Sequence, residues 1–429
     1  MKKTKLALAI AASAMISTPV LATNGDVLIG LGAQSRALGG TGAAAFFGSE
    51  NALTNPGLLG KMQGSEFAIG GTIFMPSVEA ESNVATSIQG QPATSETSAN
   101  DMNIIPEVSL ATRLSENLTF GLGIFGSAGM GVDYRDNNAL FNAYSNLQLM
   151  KFAPTLAYNQ SNFGVGFAPV IQYGALDINY KMDADYNGSN ESTVGNGMST
   201  DLGYGFNLGG YFDVSPELTI GLAYQSAINM KYKDQISVAA NGFNLSFGDE
   251  LEQPAELKIG AAYTMGSMMY TADYKQIAWG QAKGYKDFNW QDQNVFALGA
   301  KYNGNGFWAG IGYNYAEDPI KQLASGSTGA TPATGGMTGY QNEATNLFNN
   351  HFFPGIVESH ITFGGGYELN KRMTIEGAIV MATEVSKTVN TGVISSALGS
   401  GFASTADAGT THKVTHSQMG YTVSLRMNF

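Results

Sequence analysis

The 429-residue chain contains no cysteine, and only 13% of its residues are charged. The missing cysteine excludes disulfides, thiolate metal sites and cysteine nucleophiles. The shortage of charge suits a membrane protein, yet mean hydropathy is only −0.06. After the N-terminal leader region no apolar run approaches the ~20 residues that a spanning helix needs. That argues against a helical membrane protein. Basic residues are outnumbered as well: 22 Lys and Arg against 34 Asp and Glu give a formal charge of −12. That balance argues against a nucleic-acid partner. Disorder does not fit a chain that is 44% hydrophobic and 11% aromatic. A large soluble β protein and a transmembrane β-barrel remain.

The N-terminus sets the compartment. Lys2, Lys3 and Lys5 precede an apolar core from Leu6 to Ile16, Pro19 breaks it, and Val20-Leu21-Ala22 offers small or modest residues at the −3 and −1 positions. This reads as a signal peptide over residues 1–22, cleaved after Ala22, with a short membrane anchor as the alternative. At the other end, Tyr421, Val423, Leu425, Met427 and Phe429 alternate with Thr422, Ser424, Arg426 and Asn428. Period 2 gives one apolar and one polar face. In a soluble sandwich the apolar face is core; in a barrel it faces lipid. A final aromatic residue on such a strand resembles the terminal signal by which outer-membrane barrels meet the barrel-assembly machinery, here Phe429.

The same alternation recurs upstream, as in Leu218, Ile220, Leu222 and Tyr224, or Ile361, Phe363 and Tyr367. We read fourteen strands, among them 118–134, 147–159, 201–214, 218–232 and 414–429. Six short turns, such as Ser215-Pro216-Glu217 and Gly266-Ser267, alternate with seven long polar loops. Short turns on one side and long loops on the other are the asymmetry of outer-membrane barrels. Glycines inside the strands (Gly209, Gly221, Gly260, Gly299, Gly312, Gly364) free space inside a closed sheet. Tyr158, Tyr173, Tyr180, Tyr232, Trp279 and Trp290 fall near strand ends, where aromatic girdles lie. The expected fold is all-β: a 14-stranded antiparallel transmembrane barrel over 63–429, preceded by a plug of short helices over 23–62.

Residues 23–62 break the period. They carry Gly39-Gly40-Thr41-Gly42-Ala43-Ala44-Ala45 and then Asn55-Pro56-Gly57, a composition suited to short helices and tight backbone packing. Thr23-Asn24-Gly25, the run from Gly30 to Gly42, and Asn55-Pro56-Gly57 resemble the N-terminal hatch of the long-chain fatty-acid transporter family, which includes FadL and TodX. That family's motif reads Asn-Pro-Ala where this chain has Asn55-Pro56-Gly57. The resemblance covers the whole chain. It implies a monomer in the bacterial outer membrane, among its lipid and lipopolysaccharide, that passes long-chain fatty acids or hydrocarbons by diffusion without a cofactor.

It also implies a ligand site and gate beside the hatch, for which Phe46, Phe47, Asn55, Pro56 and Gly57 are the candidates. A kink in the third strand that opens the wall sideways would map onto Gly126, Ser127, Gly129 and Gly131, with ordinary barrel glycine as the alternative. Arg36, Arg113, Lys258, Lys275 and Arg426 fall in the hatch or in lumen register, near Glu256, Asp273 and Glu376. They either meet a carboxylate headgroup or lock hatch to wall through ion pairs. Phe243, Phe247, Phe348, Phe352 and Phe353 make two loops unusually apolar. They form a capture surface or pack the loops together. Weaker signals carry little. His412 and His416 lack the helix that would align them as metal ligands. Ser359-His360 has no evident acid partner for a hydrolase. The remaining alternatives are a water-filled porin for small polar solutes and a surface adhesin or receptor barrel.

Overall fold

The computed structural model describes residues 23–84, 92–183, 191–325, 339–399 and 408–429. The expected signal peptide lies outside these residues. Fourteen long strands form the wall: β1 Ser65–Ser82, β2 Asn103–Arg113, β3 Leu118–Met130, β4 Tyr144–Gln160, β5 Phe163–Asp183, β6 Ser199–Asp213, β7 Leu218–Gln225, β8 Glu256–Met265, β9 Met268–Ile277, β10 Gln293–Asn303, β11 Phe307–Ala316, β12 Ser359–Asn370, β13 Met373–Asn390 and β14 Thr411–Asn428. Each pairs antiparallel with the next, and β14 returns to β1 in a register running from His412–Ser82 to Asn428–Glu66. The ring is closed, so it has no edge.

Alternation decides which face meets lipid. In β14, Val423 is 60% exposed while Thr422 and Arg426 are buried. Ile220, Leu222, Ile311 and Phe363 are likewise exposed. Apolar outside and polar inside is the inverse of a soluble protein and matches a barrel in lipid.

Two expectations are corrected. Strand β7 ends at Gln225, not at 232. Beyond it, Ile228, Met230 and Tyr232 turn inward and are fully buried, and the chain keeps only isolated bridges to Gln253 and Glu250. Glycines opposite make the room: a Cβ at Gly203 would collide with Met230, and one at Gly174 with the Tyr232 hydroxyl. Secondly, Tyr180, Tyr232, Trp279 and Trp290 are buried, so they form no girdle. Tyr263, Tyr270, Tyr302 and Tyr367 are the exposed rings near the short turns.

The long loops close over their end of the barrel. They contain helices α3 Ile236–Gly242, α4 Gly339–Phe352 and α5 Gly392–Gly399, numbered after two short N-terminal ones, α1 Gly32–Ala37 and α2 Asn51–Thr54. The Glu343 carboxylate of α4 accepts from the backbone N–H groups of Val393 (2.9 Å) and Ile394 (3.3 Å), capping α5. Beneath lies an apolar cluster built on Phe243, Phe288, Phe348, Phe352, Trp279 and Trp290.

Residues 23–62 hold a two-stranded hairpin (Thr23–Asn24 with Val27–Leu28), α1, α2 and a 3₁₀ turn at Pro56–Lys61. None of it joins the regular wall ladder, and almost all of it is buried. Side chains from around the ring bond it: Glu66 of β1 to Ser49 N (2.6 Å), Thr155 of β4 to Ala52 O (3.2 Å), Asp273 of β9 to Gly42 N and Ala43 N (2.8 Å each), Asn314 of β11 to Gly39 O (3.0 Å) and Thr362 of β12 to Ala37 O (3.0 Å). These wall groups satisfy backbone polar groups that the segment's irregular path leaves unpaired.

Close approach is made possible by paired glycines, Gly166 with Gly209, Gly221 with Gly260 and Gly299 with Gly312. A Cβ on Gly221 would land on the Ala43 carbonyl oxygen, and one on Gly312 on the Leu38–Gly39 peptide. Gly221→Ala is therefore expected to cost about 1–3 kcal/mol in urea unfolding. Gly420→Ala, whose Cβ would meet nothing nearer than 3.6 Å, should be close to neutral.

Candidate ligand cavity and gate

Where the N-terminal segment faces strands β3, β4 and β7 to β11, a cavity of about 50 Å³ remains. Its two sides differ in chemistry. Val27, Leu28, Ile29, Leu31 and Leu53 line the side of the N-terminal segment, while Ser127, Lys151, Gln225, Glu256, Lys258 and Lys275 line the wall. The space suits a few water molecules and no acyl chain. A larger ligand can enter only if residues 27–31 move.

The wall side carries excess positive charge. Glu256 pairs with Lys258 (3.2 Å) and Lys275 (3.8 Å). Asp273 is held by the backbone of Gly42 and Ala43. Lys151, 3% exposed, makes no hydrogen bond or ion pair among the described residues. Its cross-strand neighbour is Gln172, both of whose amide atoms are buried without a partner, and Ser127 Oγ is unpartnered too. Buried polar groups are normally satisfied. An anionic oxygen in the cavity would find the Lys151 ammonium and the Ser127 hydroxyl on its lining.

The other expected charges act elsewhere. Arg36 pairs with Glu107 at 2.6 Å, both buried. Arg113 donates to the carbonyls of Gly60 (3.1 Å) and Met62 (2.8 Å). Arg426 reaches Glu50 and Glu376, each at 3.0 Å, and Glu66. These three arginines tie the N-terminal segment to the wall, while Lys258 and Lys275 line the cavity. Phe46 and Phe47 do not line it: Phe46 packs by Leu59 and Ala157, Phe47 by Leu38 and Ala262. Asn55 donates to Ala43 O (2.6 Å) and Gly210 O (3.0 Å) and accepts from Gly57 N (3.1 Å), starting the turn in which Pro56 is the first residue. A Cβ on Gly57 would press on the backbone of Gly209 and Gly210, so the smaller residue permits this contact. The five phenylalanines expected at a loop surface are not exposed. Phe243, Phe348, Phe352 and Phe353 are buried under the cap with Phe247 packed against them. They hold the loops together.

Strand β3 changes partner midway. Its ladder with β2 runs from Arg113–Thr119 to Glu107–Phe125 and stops. The next pair in register would set Gly126 against Pro106, which has no N–H to offer. A bulge follows between Gly126 and Ala128 on the β4 side. Ala128 then pairs with Val27, and Gly129 N donates to Asp26 O at 3.1 Å. The bent part of β3, with Ser127, has thus left β2 for the N-terminal hairpin while keeping β4 as its neighbour through Met130–Leu147. Leu28 and Ile29 pack with Ile105 behind it. Gly131 lies against the backbone of Ser145, where a Cβ would collide.

The hairpin also reaches the cap. Gly25, at φ +67°, touches the rings of Trp279 and Trp290, which a side chain would displace. The Asp26 carboxylate accepts from Gln253 (3.1 Å) and from the Tyr285 hydroxyl. Burial pushes Asp26 up to about 6. Sequence patterning did not single out Asp26 or Lys151. The only signal was Lys151's lumen register in a strand otherwise rich in apolar residues.

A sequence profile of the outer membrane protein transport proteins (OMPP1/FadL/TodX) matches residues 29–328. The long-chain fatty acid transport protein of Escherichia coli O6:H1 is 24% identical over 379 residues, 74% of this chain and 82% of that one. Among solved structures, the Pseudomonas putida toluene transporter TodX superposes with TM-score 0.65 at 18% identity, covering 93% of this chain and 99% of that one. A Pseudomonas aeruginosa FadL homologue gives TM-score 0.66 at 13% identity, covering 94% and 100%. These structural likenesses concern the fold.

One group in the N-terminal segment sets a pH dependence. Burial pushes Glu50 up to about 8 against the pull of Arg426, and Glu66 and Glu376 act with burial. The folded state thus holds a proton there that the unfolded chain, at 4.5, releases sooner. Its contribution is complete below about 4.5 and is lost as pH rises through about 8. The share of urea-unfolding stability that Glu50 contributes is expected to fall across that window by at most about 1.4 kcal/mol per pH unit. Glu50→Gln should flatten that slope.

Proposed function

Since the chain belongs to the outer membrane protein transport family (OMPP1/FadL/TodX), we propose that it passes hydrophobic molecules across the outer membrane by gated diffusion. Residues 23–62 are the hatch. The preferred cargo is an amphiphile with an anionic head, of the fatty-acid class. The observation that carries this reading is the two-sided cavity: Lys151, with no hydrogen bond or ion pair among the described residues and with the unpartnered Gln172 as its cross-strand neighbour, stands across from Val27, Leu28 and Leu53. An alkyl chain that displaces the hairpin gains apolar contacts, while its carboxylate supplies the missing acceptor.

Release is lateral, between β2 and the bent part of β3. The lost pairing beyond Phe125 supports this, because parting the strands there breaks no ladder bond. Leu28 and Ile29 fill the seam and must leave with the hairpin. Exit into lipid keeps an apolar solute out of water throughout. Capture by Phe243, Phe247, Phe348, Phe352 and Phe353 follows cap opening, since these rings are covered when it is closed. The protein works as a monomer, and Phe429, 73% exposed just after the last strand, is its assembly signal. A water-filled porin has no observation in its favour, because the hatch bonds to strands around the ring. The buried loop phenylalanines remove the apolar surface that an adhesin reading used.

Lys151→Met separates the cargo classes. A charge-assisted hydrogen bond is worth about 1.5–3 kcal/mol. Binding of a long-chain fatty acid to purified protein is therefore expected to weaken about 10- to 150-fold, with toluene binding unchanged. Equal loss for both ligands, or for neither, contradicts the assignment.

A further inference from the structure

The chain has four histidines, and all of them, His351, His360, His412 and His416, are buried. Transport as proposed above uses none of them. Three sit where the cap meets β14, in two hydrogen-bonded relays whose partners set every proton.

In the first relay, His351 Nε2 faces the Leu140 carbonyl oxygen at 3.2 Å, so it carries the proton. His351 Nδ1 must then accept, and the donor is His412 Nε2 at 2.9 Å. His412 Nδ1 in turn accepts from Asn350 Nδ2 at 3.2 Å. Asn350 cannot reverse its amide, because Nδ2 also donates to the carbonyls of Lys387 (3.2 Å) and His412 (3.3 Å). In the second relay, His416 Nδ1 donates to Pro354 O at 2.8 Å. His416 Nε2 accepts from Gln418 Nε2 at 3.1 Å, and Gln418 Oε1 accepts from Thr23 N at 3.2 Å. Strand β14 thus grips the cap at residues 350–354 and the hatch at its first described residue.

Neither relay accommodates a further proton. On the first, it sets N–H against N–H between the two rings or between His412 and Asn350. On the second, it sets His416 against Gln418, and turning that amide sets Gln418 against Thr23. No carboxylate touches either relay among the described residues. His351 is enclosed by Tyr134, Phe141 and Phe352, the Lys387 ammonium is turned away to Asp318, and His360 and Lys275 stand on the side of Gln418. Protonation therefore adds uncompensated buried charge. Burial holds His351 at about 4 instead of 6.5.

We propose that the two relays are an acid-released latch: protonation frees residues 350–354 of the cap and the Thr23–Leu28 hairpin from β14 together. Its meaning for transport rests on the hatch-gated reading, but the release itself does not. For His351 alone, the difference between 4 and 6.5 shifts the closed–open balance by up to about 300-fold once the ring is protonated.

Two tryptophans report on the latch. Trp290 donates to Asn349 Oδ1 of α4 at 3.0 Å, and both Trp279 and Trp290 touch Gly25 of the hairpin. Acrylamide quenching of tryptophan fluorescence in the full-length protein in micelles is expected to rise reversibly between pH 7 and pH 3.5, with the β signal in circular dichroism unchanged. A histidine-free variant (H351Q, H360Q, H412Q and H416Q together) should lose that transition. The cap carboxylates Glu343 and Asp318 and the hairpin carboxylate Asp26, which bonds Gln253 and Tyr285 of the cap, remain in it, so a transition of their making persists and overturns the proposal. Tryptophans shielded down to pH 3.5, or quenching that coincides with loss of the β signal, overturn it as well. Should the fourfold variant not assemble, His412→Gln and His416→Gln singly are the check: at least one must lower the transition midpoint, and no change in either refutes the latch. Uptake of toluene into vesicles forms a separate arm. Release without faster uptake leaves the latch standing and counts against the hatch-gated route.

Discussion

Everything in this molecule depends on how an irregular segment of about forty residues satisfies its backbone against the polar side chains of the wall. Regular secondary structure does little of that work, since α1 and α2 span six and four residues. Wall side chains do it instead: Asp273, Asn314, Thr362, Thr155 and Glu66 each bond a backbone group of the segment. Such bonds need the chain to lie against the sheet, and the paired glycines of β5 to β11 permit that approach. The strands give up some intrinsic stability for it. Closure of the ring, and lipid outside, hold the sheet together regardless.

The same constraint sets the hairpin at the start of the segment apart from the rest of it. Residues 32–62 are held by the arginine pairs and by the glycine belt. The hairpin instead takes its partners from the bent part of β3 through Val27 and Asp26, from the cap through Gly25 and Asp26, and from β14 through Thr23. Between these contacts lies the cavity, with apolar hairpin residues on one side and lysines on the other. Cap, hairpin and cavity thus meet at Gly25, Asp26 and Val27.

Much of this was legible in the sequence. Alternation located all fourteen strands, because the apolar-out, polar-in rule holds along each of them in lipid. The six short turns fall where Ser215-Pro216-Glu217, Gly266-Ser267 and their like placed them. Alternation failed where its physical premise fails. Ile228, Met230 and Tyr232 keep the period but turn inward under the cap, and period alone does not say which face meets lipid. The loop phenylalanines read equally as surface or as core, and only the helices α3 and α4 decide between them. Lysines in lumen register were visible, but their partners come from strands far apart in sequence. Lys151 and Gln172 are neighbours only through the β4–β5 register.

The central claim is that residues 23–62 close the lumen in the resting protein. Planar-bilayer conductance at neutral pH tests it most directly. Intact protein should pass little or no steady ion current, while a variant lacking residues 23–62 should pass a large one. A large, steady current from the intact protein would contradict the account.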